Sequence, residues 1–193
     1  MSVGGNDEER WIADIQRGDE QAFERLFKTY YFELTRFAWR YVKSKAIAEE
    51  MVQEVFADIW DESEQWNPRS SLKLYLYQSV KHQALDYLNH EKVREKYDPR
   101  WMSKKEYPTI DFRDSRREEQ IRAAIGKEIQ ALPPRSRMTY TLHRHDGLTY
   151  KEIAEVMDVS VKTVESQMTR TLKRLRKRLS HLLSFLIAAV LTV

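Results

Sequence analysis

The sequence contains no cysteine, which excludes disulfide bonds and thiolate metal sites. It has only five glycines and five prolines in 193 residues, so architectures built from many short strands and turns are disfavoured. A hydrophobic content of 41% and a charged content of 33% are typical of a folded, helix-rich protein rather than a disordered one. We therefore predict an all-α protein in a reducing, cytoplasmic environment.

The common signatures of an enzyme are also missing. The five histidines form no HExxH motif, and there is no GxSxG motif and no glycine-rich phosphate loop. His143 and His145 are two positions apart, which places them on different faces of a helix. We expect no catalytic residue, no metal site and no cofactor. The polar, acidic residues 1–10 are unlike a signal peptide.

The charges are unevenly distributed along the chain. Residues 46–68 contain seven acidic side chains and no lysine or arginine, whereas residues 135–178 contain eleven basic and five acidic side chains. The net charge of +3 conceals this polarity. The distribution indicates two different partners, a basic one for the middle of the chain and nucleic acid for the end.

Residues 148–178 have the pattern of a helix-turn-helix. Thr149 and Glu152 have the spacing of a capping box at the start of the first helix. A short polar turn follows, and Ser160 can cap the second helix. Helical spacing predicts that the apolar residues of the second helix face the core: Val164, Met168, Leu172, Leu175 and Leu179.

The opposite face of that second helix is rich in donors and free of carboxylates. A helix that is apolar behind and basic in front suits the major groove of DNA. We predict that the upstream contacts come from Lys162, Thr163, Ser166, Gln167, Arg170 and Lys173.

The rest of the chain predicts a second helical domain. Gly18 is expected to end one helix and Asp19 to cap the next, with further helices at about 44–61 and 71–96 around a turn at Pro68. We predict two domains, residues 1–96 and 115–181. A flexible linker at 97–114 joins them, and an apolar tail follows at 182–193. Twelve helical residues span roughly 18 Å, short of a hydrocarbon core of about 30 Å. We expect the tail to be a capping or partner-binding helix rather than a membrane anchor.

Two parts of the chain carry a family resemblance. Residues 48–60 and 74–94 resemble region two of the extracytoplasmic-function (ECF) sigma factors of bacterial RNA polymerase, and residues 131–179 resemble their region four. Residues 75–88 and 159–165 most resemble the iron-citrate-type subgroup. The resemblance implies two small helical domains and a non-enzymatic subunit that directs the polymerase to promoters and assists strand opening.

The resemblance also implies partners. In the family a Gln-Glu pair, which matches Gln53 and Glu54, docks on the clamp coiled coil of core RNA polymerase. Asp58 and Trp60 follow on the same acidic segment and are further candidates. The implied partners are core polymerase, through its clamp coiled coil and flap, promoter DNA, and an anti-sigma factor that is often membrane-anchored in the iron-citrate-type subgroup.

Recognition of the downstream promoter element is assigned to the turn around Pro68 and to the helix after it. A base that leaves the stack needs polar loop groups and aromatic faces. The candidates are Trp66, Asn67, Arg69, Ser70, Lys73, Tyr75, Tyr77 and Lys81. Of the two tyrosines, we expect one to be structural.

One alternative is a helix-turn-helix regulator that binds operator DNA without polymerase. Two-domain regulators of the response type usually carry an α/β receiver, whereas the first half of this chain has a helical period throughout. A one-component regulator stays open on the sequence alone.

Overall fold

The computed structural model describes residues 5–97 and 125–191, and the side-chain surroundings of residues 8–91 and 125–178. Within these ranges the chain is helical and forms no strand, which confirms the all-α prediction. A short 3-10 turn lies at Ser63–Gln65, and residues 125–130 are helical. The helices are α1 Gly5–Gln16, α2 Glu20–Val42, α3 Lys45–Asp61, α4 Leu72–Tyr97, α5 Pro134–Arg144, α6 Tyr150–Met157 and α7 Val161–Leu191.

The chain divides into two compact units, Met1–Thr109 and Ile110–Val193. The division falls within the predicted linker at 97–114, most of which lies outside the described residues. The start of the helix predicted from residue 115 lies outside them as well. The finer domain boundaries therefore remain predictions.

The helix boundaries of the first unit follow from local signals. Gly18 has a φ of +77°, and the Asp19 carboxylate accepts hydrogen bonds from the backbone N–H groups of Gln21 and Ala22. This conformation favours glycine, and the carboxylate satisfies donors that an uncapped helix would leave open. The predicted stop at Gly18 and cap at Asp19 are confirmed, and α3 and α4 begin and end within one residue of prediction.

The first unit is built on an aromatic core between α2, α3 and α4. The Phe37 ring lies 4.9 Å from the Tyr77 ring, and the Phe27 ring lies 4.9 Å from the Phe56 ring. Phe37 and Tyr77 are both 0% exposed. Burial of such rings contributes most of the packing energy of a small domain. The buried aromatic side chains of this unit are Tyr30, Phe37, Phe56, Trp66 and Tyr77.

The second unit has an aliphatic core beneath α5, α6 and α7. No aromatic side chain is buried among its described residues, 125–178. His143 Nδ1 lies 2.9 Å from the Leu148 carbonyl, and this bond fixes the connection between α5 and α6. The core residues are Leu132, Leu142, Leu148, Ile153, Ala154, Val156, Val164, Met168 and Leu175.

One core prediction for α7 is wrong. Leu172 is 44% exposed, whereas Thr171 is 2% exposed and occupies the inward position. At 100° per residue, Leu172 lies about 80° from Val164, while Thr171 lies only about 20° from it. The helical period therefore selects the threonine, and the apolar character of Leu172 does not bury it. Leu179 lies outside the residues whose side chains are described.

The tail does not begin a new element. The backbone of α7 continues without a break from Val161 to Leu191, a length of 31 residues. Nothing in the described part of the chain is both long and apolar enough to form a helix that crosses a membrane.

Candidate nucleic-acid and polymerase interfaces

Side-chain caps fix the starts of α6 and α7. Glu152 N donates to Thr149 Oγ1 at 3.2 Å, and Thr149 N donates to Glu152 Oε2 at 2.9 Å, which confirms the capping box. Asp158 ends α6 with a φ of +60°, and Thr163 N donates to Ser160 Oγ at 3.1 Å. Because these bonds satisfy one open donor at the start of each helix, they help to fix the orientation in which α7 begins.

The outer face of α7 presents the three predicted cations. Lys162, Arg170 and Lys173 are exposed, while Val164 and Met168 are buried on the opposite side. The three positions lie within about 80° of one another around the helix axis. This spacing lets one helix face reach a groove and its flanking phosphates.

The polar candidates on the same helix are partly engaged within the protein. The Thr163 hydroxyl lies 2.8 Å from Ser160 Oγ, and Gln167 Oε1 lies 2.6 Å from the hydroxyl of the buried Thr139. Thr163, Ser166 and Gln167 are each half-buried. Gln167 therefore meets any DNA with one end of its amide already bonded, which restricts the bases it can read.

Two arginines in the middle of α7, Arg174 and Arg178, also have internal partners. Arg178 forms an ion pair with Glu128 at 2.8 Å, and Arg174 Nη2 donates to the Ala131 carbonyl at 3.4 Å. These contacts tie α7 to the segment that precedes α5. Arg174 and Arg178 are therefore less available to DNA than their exposure alone suggests.

In the first unit, α3 separates its acidic and apolar residues cleanly. Gln53, Glu54 and Asp58 are exposed, whereas Val55 and Phe56 on the inner side are buried. Asp58 also lines a shallow cleft between α3 and α4 that it shares with Tyr75. The predicted polymerase residues other than Trp60 therefore lie on an accessible surface.

Trp60 does not join this acidic surface. Its ring lies 4.9 Å from the Phe23 ring of α2, and the side chain is half-buried. Trp60 is six residues beyond Glu54, which places it about 120° around the helix from that carboxylate. The structure thus gives Trp60 a packing contact with α2.

Two of the predicted downstream-element contacts require correction. Tyr77 is 0% exposed with its ring against Phe37, because it shares the inward stripe of α4 with Val80 and Ala84. Trp66 is 6% exposed, and its ring packs edge-on against Tyr75 at 5.9 Å. Neither ring presents a face on which a base can stack.

The other residues of this group lie closer to the surface. Asn67 and Arg69 are exposed, and Ser70, Tyr75 and Lys81 are half-buried. They lie on the loop at residues 62–71, hereafter the 62–71 loop, or on the helix that follows it.

Lys73 has a partner that the sequence did not reveal. Its Nζ lies 3.6 Å from Glu33 Oε2 on α2, and the two side chains are 21% and 33% exposed. An ion pair of this exposure contributes little to stability, but the negative charge of Glu33 weakens the attraction of Lys73 to a phosphate. Glu33 lies forty residues away in sequence, so no local pattern points to it.

No sequence pattern indicates that α1 contacts the 62–71 loop and the start of α4, but the structure shows both contacts. Gln16 Nε2 donates to the Trp66 carbonyl at 2.9 Å, and Leu72 N donates to Glu8 Oε2 at 3.2 Å. These bonds connect α1 to the two residues that flank positions 67–71 of the 62–71 loop, Trp66 and Leu72. In the same described ranges, no group of three histidine, aspartate or glutamate side chains has a geometry that could hold a metal ion.

Comparison with known protein families assigns both units. Residues 26–94 match the family model described as sigma-70 region 2, and residues 122–175 match the model described as sigma-70, region 4. The chain is 27% identical over 183 residues to the ECF RNA polymerase sigma-E factor of Escherichia coli K12, covering 89% of this chain and 94% of that protein. The chain belongs to the ECF sigma factors of the sigma-70 family.

Other relatives agree with this assignment. The sigma factor is 25% identical over 180 residues to the ECF sigma factor RpoE of Cereibacter sphaeroides, covering 91% of this chain and 98% of the relative. It therefore directs transcription initiation with RNA polymerase, which is a regulatory activity.

Solved structures share the fold. CnrH in complex with the cytosolic domain of CnrY has a TM-score of 0.56 at 21% identity, covering 90% of this chain and 97% of that chain. RpoE of Bartonella quintana in complex with the anti-sigma factor NepR has a TM-score of 0.58 at 16% identity, covering 82% and 96%. At these identities the likeness supports the fold alone.

Proposed function

We propose that the sigma factor uses three separate surfaces in transcription initiation. The acidic face of α3 binds the clamp coiled coil of core RNA polymerase, the first half of α7 binds the upstream promoter element, and the 62–71 loop with the start of α4 binds the downstream element. The observation that carries this proposal is the separation of exposed polar from buried apolar residues on α3 and on α7.

The α3 surface suits a basic protein partner. Gln53 offers both a donor and an acceptor, and Glu54 and Asp58 offer charged acceptors, all exposed. Residues 46–68 contain no lysine or arginine that would neutralise them from within the segment. Charge-assisted bonds to a cationic partner are stronger than neutral ones, so this face has the chemistry for a tight contact.

The α7 surface divides its work between affinity and sequence choice. Lys173 is exposed and lies beyond the first two turns, where it suits a phosphate; contacts of this kind act on every sequence alike. Lys162 and Arg170 lie on the same face and reach base edges or phosphates. Region four also binds the polymerase flap in this proposal, which would set the position of α7 on the promoter.

The downstream surface relies on the exposed loop and not on the buried rings. Asn67 and Arg69 supply accessible polar groups, and Tyr75 is the remaining aromatic candidate, since Trp66 and Tyr77 are buried. An unpaired base can be read by such groups once it leaves the stack.

The regulation we propose is release from an anti-sigma factor in the cytoplasm. The RpoE structure from Bartonella quintana contains an anti-sigma factor, which supports a partner of the same class for this chain. The residues at 75–88 and 159–165 support membership of the iron-citrate-type subgroup, and with it a membrane-anchored partner. The tail at 182–193 is a proposed docking segment for that partner.

The experiment that tests the polymerase surface is co-purification with core RNA polymerase. The double variant Gln53→Ala/Glu54→Ala should lower the affinity for core by roughly tenfold or more, because it removes charge-assisted hydrogen bonds. A matched control is Glu20→Ala/Gln21→Ala, an exposed Glu-Gln pair at the start of α2. Circular dichroism should show the same helix content in both variants. An affinity equal to that of the control would remove the α3 assignment.

A further inference from the structure

The 62–71 loop is held at two points by α1. One point is the Trp66 carbonyl, which accepts from Gln16 Nε2 at 2.9 Å. The other is the Leu72 amide, which donates to Glu8 Oε2 at 3.2 Å. The exposed Asn67 and Arg69 lie between these points. Residues 67–71 are thus anchored at both ends by a single helix.

Both anchor points are backbone atoms of residues whose side chains are buried. The Trp66 side chain is 6% exposed against the Tyr75 ring, and Leu72 is 1% exposed in the core. The bonds from α1 therefore fix backbone atoms next to buried side chains. Between them only five residues, 67–71, are left to adopt the loop conformation.

The Glu8 contact also completes the start of α4. The first turn of a helix has backbone N–H groups without helical partners. Here Leu74 N donates to Ser71 Oγ at 3.2 Å, while the Leu72 N–H is satisfied by the Glu8 carboxylate. A negative charge at a helix N-terminus is also favourable to the helix dipole. Glu8 thus acts as a cap supplied by a distant helix.

We propose that α1 is a positioning element for promoter recognition, and that Gln16 and Glu8 are positioning residues that fix the loop geometry for reading the downstream element. The inference rests on the proposed role of the 62–71 loop. A loop ordered before binding loses less conformational entropy when it meets the unpaired strand, so recognition is stronger and more selective. Neither residue needs to touch DNA.

The test uses the holoenzyme, assembled from core RNA polymerase and the full chain. The probe is a pool of duplex templates randomised at the upstream and downstream elements. Sequencing of the templates that are transcribed gives the base preferences at each element. A base preference is a ratio between templates transcribed by the same holoenzyme. A variant with a lower folded fraction therefore gives less total transcription, but its base preference stays the same.

Gln16→Ala and Glu8→Ala should each weaken the downstream preference by about twofold to tenfold, the range expected for one lost hydrogen bond. The upstream preference should stay unchanged. Matched controls are Gln21→Ala and Glu9→Ala, which remove exposed side chains of the same types from the same part of the unit. An unchanged downstream preference in both α1 variants would overturn the inference, as would an equal loss at both elements.

Asn67→Ala and Arg69→Ala separate this inference from the proposed function. If they weaken the downstream preference and the α1 variants do not, α1 has no positioning role and the loop assignment survives. If Asn67→Ala and Arg69→Ala both leave the preference unchanged, the proposed function of the loop fails and the inference fails with it. The double variant Gln16→Ala/Asn67→Ala should lose less than the sum of its parts, because displacing the loop already removes the Asn67 contact.

Discussion

The two units of this sigma factor hold their helices together by different means. Region two packs long helices around buried aromatic rings, including Phe37 and Tyr77. Region four packs α5, α6 and the start of α7 around aliphatic side chains, and it fixes the start of α6 with the capping box of Thr149 and Glu152. Ring burial provides large amounts of nonspecific stability, whereas caps provide less stability but define an angle.

The difference matches the two kinds of DNA contact proposed for them. A helix that enters the major groove of a duplex needs a fixed orientation, which the caps at Thr149 and Ser160 supply over a few residues. A loop that receives an unpaired base needs a fixed conformation, which the buried Trp66 and the bonds from α1 supply for the 62–71 loop. Local bonds set the first geometry, and long-range contacts set the second.

The largest effect should come from the aromatic core. Phe37→Ala should lower the free energy of unfolding of region two by about 3–5 kcal/mol, because it removes a fully buried ring in contact with Tyr77. Four of the five tryptophans lie among the described residues of the first unit, at positions 11, 39, 60 and 66, and residues 110–193 contain none. Denaturation followed by tryptophan fluorescence therefore reports on the first unit and not on the second. Phe32→Ala is the control, since Phe32 lies on the same helix and is 78% exposed. Equal losses for the two variants would contradict the aromatic-core account.

A smaller effect should come from the capping box of region four. Thr149→Ala should cost about 1 kcal/mol, because the Glu152 N–H loses its acceptor. The loss should appear in denaturation followed by circular dichroism and be absent from the tryptophan signal.

The exposed Thr169, in the interior of α7, provides a matched substitution. Thr169→Ala should be neutral or slightly stabilising because alanine has the higher helix propensity. If Thr149→Ala behaved in the same way, the capping box would not contribute to the stability of region four.

The smallest effect concerns alkaline pH. Burial raises the pKa of Tyr41 above its ordinary value of 10.0, and the neighbouring charge of Arg40 offsets part of this. The folded state therefore retains the phenol proton more strongly, so its contribution to stability is complete below about pH 10 and is lost as the pH rises through the folded pKa. Tyr41→Phe should show a shallower decrease of the unfolding free energy above about pH 10 than the unmodified chain. Parallel decreases would rule out this contribution.

Much of the fold could be predicted because its signals are local. Asp19, Thr149 with Glu152, and Ser160 cap helices through partners two or three residues away, and the structure confirms each of these caps. Burial on α7 was predicted less well. The apolar character of Leu172 predicts that it is buried, whereas the helical period predicts burial of Thr171, and the structure agrees with the period.

The candidate site was harder to predict because its contacts are long-range. The burial of Tyr77 depends on α2, where Phe37 lies forty positions away. The bonds from Gln16 and Glu8 span 50 and 64 positions. Residue type alone does not separate an aromatic ring that packs from one that stacks on a base, and a sequence window does not contain the helix that anchors a loop.

The unbroken course of α7 has a mechanical consequence. From Val161 to Leu182 the helix axis extends for about 32 Å, and every added residue turns the chain by about 100°. The turns proposed to contact DNA and the apolar tail therefore have a fixed rotational relation about one helix axis. A protein that bound the tail would therefore also fix the direction in which the basic face of α7 points.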